Sequence, residues 1–127
     1  MKKSTHVAAV FSLALILHIA LGWIWTPLAG VIGGIGGNKY AWRISAFGLG
    51  LSWSVLVMYN LVSANYQVME MGRVMGELFG GFPGPLIFVF TVLIGLALGA
   101  VSGKLGMGLR VLIFFQKKRF HGERTAD

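Results

Sequence analysis

The sequence predicts an all-α integral membrane protein, a small bundle of four transmembrane helices packed through glycine. Hydrophobic residues make up 56% of the 127 and charged residues only 12%, about half the charged share of an ordinary soluble domain. Mean hydropathy is correspondingly high, at +0.76. The charges are also segregated: between Arg43 and Lys104 the only ones are Glu70, Arg73 and Glu77. A chain of this length makes one polytopic domain, residues 1–127, and not two.

The first apolar run, Val7 to Trp25, is long enough to cross a hydrocarbon core of about 30 Å at 1.5 Å per residue. Thr26-Pro27 is expected to end or kink it, giving a span over residues 7–26, with Trp23 and Trp25 at an interfacial belt. Lys2, Lys3 and this run also fit a signal peptide, with Ala20 and Gly22 as small residues before a cut near residue 22. "PLAGVIGGIGG", Pro27 to Gly37, is apolar but too short to cross, and reads as a short helical turn or half-buried extension. "NKYAWR" follows as a polar loop at an interface. The second clear span, 44–63, carries Ser45, Ser52, Ser54 and Asn60 at helical spacings, a face suited to other helices. A last span, 85–103, starts at Pro85, where a helix tolerates proline best. Beyond it, residues 104–127 alternate apolar side chains with cations, as in an amphipathic cytoplasmic tail whose Lys117, Lys118 and Arg119 hold anionic lipid headgroups.

Residues 65–81 are the ambiguous element. At 100° per residue, Val68, Met71, Val74, Met75, Leu78 and Phe79 form an apolar face. Gly72, Gly76 and Gly80 make a second strip, and Glu70, Arg73 and Glu77 share a sector about 60° wide. An interfacial helix accounts for the charges; it does not account for three glycines in one row, each costing about 1 kcal/mol relative to alanine. Small-xxx-small packing in a membrane does. Gly95, Gly99 and Gly103 form a matching row, so the two helices are expected to be the sides of one hairpin, with residues 65–81 crossing. Three spans plus an interfacial helix is the alternative. With four crossings both termini lie inside together with eight cations, and Lys39 and Arg43 lie outside, compatible with the positive-inside rule and with a bacterial inner membrane.

The candidate site residues are Glu70, Arg73 and Glu77, an ion or proton path or a buried ion-pair cluster if Arg73 pairs at i−3 or i+4, and His18, alone in the middle of the first span. His6, His18 and His121 lack metal-type spacing, and the chain has no cysteine, so no disulfide, thiolate ligand or cysteine nucleophile is available. No metal site and no cofactor are expected. H-E-x-x-H, G-x-S-x-G and Walker patterns are absent, and "GVIGGIGGNK" lacks the G-K-[ST] ending of a phosphate loop. The net charge of +7 sits on segments flanking apolar runs and not on a soluble basic-aromatic patch, so nucleic acid is not expected. The reading that remains is a non-catalytic accessory subunit, its partners being the bilayer, other membrane subunits or copies of itself. The alternatives are a homo-oligomeric proton or cation channel or transporter lined by Glu70, Arg73 and Glu77, and a membrane enzyme or cofactor subunit using His18.

Overall fold

A computed structural model describes the backbone of residues 3–37 and 39–123, and the side chains of 4–37 and 39–115. Regular structure among these residues is helical: α1 (Lys3–Leu21), a 3-10 turn (Trp23–Trp25), α2 (Thr26–Gly36), α3 (Ala41–Ser63), α4 (Asn65–Leu78) and α5 (Gly84–Glu123). Three helices are long and apolar enough to cross a membrane: α1 over Ser4–Leu21, α3 over Ala41–Ser63 and α5 over Gly84–Phe115.

The run Val7–Trp25 is not one helix. α1 stops at Leu21, and Gly22 takes φ 92°, a left-handed conformation that glycine enters without steric cost. Its N–H still closes the last turn onto the His18 carbonyl, at 3.0 Å. Thr26-Pro27 then opens α2 with proline in the first turn, where its missing N–H and fixed φ suit a helix start. The short helical turn expected from Pro27 is thus a full helix of 11 residues, and the first helix ends at Leu21, ahead of the proline.

α2 runs back along α1. Thr26 Oγ1 meets His18 Nδ1 at 3.3 Å, Gly33 lies against Val10, and Gly37 against His6. α3 reverses again, bringing Gly48 to Val10 and Trp53 edge-on to His18. α5 descends antiparallel to α3, with Gly95 on Trp53, Gly99 on Ser45 and Ala46, and Gly103 on Trp42. α2 sits inside this packing and contacts α1, α3 and α5; its Ala29, Gly30, Gly33 and Gly34 are buried.

The return of α2 changes which ends coincide. His6, the Gly37–Tyr40 connection and Arg110, which donates from Nη1 to the Gly37 carbonyl, lie at one end. Lys39 and Arg43 thus share the end that holds the start of α1, whereas the sequence placed them opposite it. The reason is that the chain recrosses through α2 before α3 begins.

α4 also departs from expectation. It has 14 residues, about 21 Å of helix, short of the roughly 20 residues a crossing takes, and it is not among the helices long and apolar enough to span. It follows α3 after the single non-helical residue Ala64 and packs on α3 and α5. The expected boundary at residue 103 is absent as well: α5 continues to Glu123 as one 40-residue helix.

The interior is small and the exterior large. Val10, Ala14, Ala29, Ala41 and Leu49 are the buried apolar residues, joined by Thr26, Ser45, Ser52 and Ser102. Ile16, Phe47, Met58, Leu93 and Val101 are about half exposed or more, the reverse of a water-soluble core. The buried serines are satisfied: Ser52 Oγ donates to the Leu49 carbonyl at 2.8 Å, Ser102 Oγ to Leu98 at 2.7 Å, and Ser45 Oγ across to Gly30 of α2 at 3.0 Å.

Candidate functional site

α4 builds the sharpest grouping of charge. Its glycine strip faces the bundle: Gly72 and Gly76 are buried, Gly72 beside the Phe88 ring and Gly76 against the Phe82 carbonyl. That close approach turns the charged sector outward. There Arg73 forks onto Glu70, Nη2 to Oε1 at 2.5 Å and Nε to Oε2 at 3.1 Å, and reaches Glu77 Oε1 from Nη1 at 2.7 Å. Both the i−3 and i+4 pairings read from the spacing are made. The side chains are 46% to 63% exposed, so in the single chain this is an outward ion-pair cluster and not a buried one. Arg73's hydrogen bonds hold the Glu70 carboxyl below the ordinary carboxylate range, and Glu70 in turn pushes the Arg73 guanidinium further up. Glu70 and Arg73 are therefore fixed in their charged forms near neutral pH, an arrangement suited to holding a helix face and not to exchanging a proton.

Beneath α4 lies an apolar cavity of about 350 Å³, bounded by Val57 and Asn60 of α3, Met71 and Met75 of α4, and Phe88 and Thr91 of α5. Its lining suits a hydrocarbon group; it offers no charged side chain.

His18 occupies a second polar place, where α1, α2 and α3 meet. Beside its Thr26 contact it stands against Trp53, ring centroids 6.2 Å apart and planes at 78°. Trp53 Nε1 is buried without a hydrogen-bond partner among the described residues. His6, beside Gly36 and Gly37, lies at the other end of α1, about 18 Å away along the helix, so the two cannot ligate one metal or haem. The described residues contain no group of three metal-ligating side chains.

The two glycine rows do not face each other. Gly72 and Gly76 meet the start of α5 and the preceding turn, whereas Gly95, Gly99 and Gly103 meet α3. Gly80, with φ 93°, closes α4 in the left-handed conformation of a helix C-terminus; a Cβ there would touch nothing within 4 Å. The side chains of Lys117, Lys118 and Arg119 lie outside the described residues. Sequence reasoning missed the contacts of Gly30 with Ser102, Gly34 with Gly103, and Gly106 with Val31, through which α2 meets α5. Their signal was present in "AGVIGGIGG", whose small residues recur at helical spacing.

No protein-family model matches this chain, and neither a curated protein nor a solved structure does.

Proposed function

We propose that the chain is a small, non-catalytic integral membrane protein, an accessory subunit of a larger membrane assembly. The observation that carries the membrane reading is the inversion of its packing, with glycine, alanine and serine inside and large aliphatic and aromatic side chains outside. In water that exterior would drive aggregation; in lipid it costs nothing, and small residues inside let backbones pack closely.

In this reading α1, α3 and α5 cross fully and the 3-10 turn with α2 forms a shorter fourth pass, about 22 Å long, its small residues against its three neighbours and Leu28, Ile32 and Ile35 exposed toward lipid. α4 lies at the far interface with Glu70, Arg73 and Glu77 toward water or headgroups. Lys39, Arg43, Lys104 and Arg110 gather at one end and Arg73 alone at the other, which supports a cytoplasmic basic end with both termini on that side, as in a bacterial inner membrane.

A subunit role is favoured because, among the described residues, no nucleophile, base and orienting group converge, while apolar surface is abundant. That surface includes Val111 to Phe115, each exposed by more than half, beyond Arg110 on α5. The homo-oligomeric transport reading draws less support, because Arg73 engages both Glu70 and Glu77 and leaves that face without an uncompensated carboxylate.

Two measurements test the proposal. Purification in mild detergent should recover the protein with other polypeptides at fixed stoichiometry; a homogeneous lone protein would overturn the subunit role. In intact cells, Lys39→Cys should be shielded from an impermeant thiol reagent, while Tyr66→Cys and Gly81→Cys should both react from outside. Labelling of Lys39→Cys from outside would sink the α2 pass.

A further inference from the structure

The basic end collects positive charge from three separate segments without a counter-charge among the described residues. Lys39 belongs to the connection after α2, Arg43 to the first turn of α3, and Lys104 to α5. Arg43 Cζ stands 5.4 Å from the Tyr40 ring centroid and 5.2 Å from that of Trp42. Lys39 Nζ shares the Tyr40 ring at 5.1 Å, and Lys104 Nζ shares the Trp42 ring at 5.4 Å. Backbone packing sets this convergence: a Cβ on Gly103 would stand 2.8 Å from Trp42 Cα, so the residue after Gly103 is delivered to the Trp42 ring. The acidic side chains among the described residues, Glu70 and Glu77, are both engaged by Arg73 at the opposite end. Cations gathered on shared rings, with no carboxylate of the described residues near, repel one another unless an anion sits among them.

We propose that Lys39, Arg43 and Lys104 form a binding site for the phosphate ester of an anionic phospholipid headgroup, between the first turn of α3 and α5. This rests on the membrane reading above and adds a defined site to it, separate from the Lys117–Arg119 tail. The Arg43 guanidinium offers the planar fork that accepts two phosphate oxygens, and the lysines act as flexible point charges. Trp42 and Tyr40 supply rings of the kind that settle at headgroup depth. The ligand is an amphiphile and not free phosphate, because each helix carries an exposed apolar residue one turn deeper. Phe47 follows Arg43 at i+4 on α3, and Val101 precedes Lys104 at i−3 on α5, exposed by 62% and 59%. Charge at the interface followed by apolar surface on the same helix face matches a headgroup followed by its acyl chain.

Native mass spectrometry of the full chain in neutral detergent tests the site, with phosphatidylglycerol, phosphatidylcholine or inorganic phosphate added separately. The parent protein should retain phosphatidylglycerol at least tenfold over phosphatidylcholine. Arg43→Gln/Lys104→Gln should lose that preference about tenfold, and Lys117→Gln/Lys118→Gln/Arg119→Gln should keep it. If the first double variant fails to fold, Lys39→Gln/Lys104→Gln, which alters only lysine side chains more than a third exposed, serves in its place. Equal retention of both lipids, loss through the tail variant alone, or displacement of phosphatidylglycerol by millimolar inorganic phosphate would each overturn the proposal. Cysteine labelling is independent of lipid selectivity, so failure of the topology and failure of the site are separately visible.

Discussion

Replacing Gly99 by alanine should destabilise the bundle by about 1–2 kcal/mol, whereas the same change at Gly108, further along the same helix, should be neutral or stabilising. A Cβ on Gly99 would stand 2.5 Å from the Ser45 carbonyl oxygen, 2.7 Å from Ala46 Cα and 3.0 Å from Ala46 N. All three are backbone atoms of α3, which cannot swing aside as a side chain can. Ordinary carbon contacts sit at about 3.5–4.0 Å, so α3 and α5 must part by roughly 1 Å. Because the atoms met are backbone, the cost falls in the upper part of the overpacking range, about 2–3 kcal/mol, offset by roughly 1 kcal/mol for alanine over glycine in a helix. The remainder lowers the folded-to-unfolded ratio about 5- to 30-fold. At Gly108 a Cβ would meet nothing within 4 Å, leaving only the gain in helix propensity. Unfolding in mixed micelles by increasing SDS fraction, followed by the fluorescence of the four tryptophans, gives the midpoints. Equal midpoints for Gly99→Ala and the parent, or a common shift of both variants, would refute the close approach of α3 to α5.

Glu70 provides a pH test. Its folded pKa is depressed by Arg73, so the pair's contribution is present above the unfolded carboxylate value and lost as pH falls through the folded one. Amide exchange in α4, corrected for its intrinsic pH dependence, should lose protection on acidification, and Arg73→Gln should abolish that step; an unchanged step would mean the pair is not formed. Ser45→Ala removes a buried inter-helix hydrogen bond to Gly30 and should cost about 0.5–1.5 kcal/mol in the SDS titration, more than Ser52→Ala, whose bond lies within α3. Trp53→Phe keeps a ring beside Gly95 and His18 but deletes an N–H that has no partner. It should cost less than about 1 kcal/mol, and a loss of several would show that the N–H is bonded.

The long helices were legible because their apolar runs are continuous: residues 44–63 were read where α3 spans Ala41–Ser63. The Arg73 pairings were legible from spacing alone. What the sequence hid was direction. A glycine inside an apolar run costs only about 1 kcal/mol in a helix, so nothing local announces that Gly22 turns the chain. Proline suits both the position after a helix and the first turn of the next, so Thr26-Pro27 reads as the end of one element and the start of a short helical turn, and neither role says that the second element turns back along the first. A four-residue glycine row shows that some backbone comes close without saying whose. Gly95, Gly99 and Gly103 were matched to α4 because α4 is next in sequence, but the surface that fits them is Trp42, Ser45 and Trp53 of α3. α4 itself was read as a crossing on the strength of its glycines. Gly72 and Gly76 do pack closely, yet only against the start of α5 and its preceding turn, which needs no more than two turns of helix.

The reversal at Gly22 also bears on the order of events as the chain is made. Thr26–Gly36, with 11 residues, is about half the length of a self-sufficient membrane segment, so it lacks the reach to cross a bilayer alone. In the proposed setting it must enter as the second arm of a hairpin, drawn in by α1. The faces it presents with Ala29, Gly30, Gly33 and Gly34 stay incompletely covered until α5, made well after it, arrives to close over Gly30 and Gly34. A nascent chain stopped before residue 99 would hold α2 in the membrane with that side bare. The protein's final shape is thus not reached segment by segment, but depends on the hairpin of α1 and α2 waiting for α5.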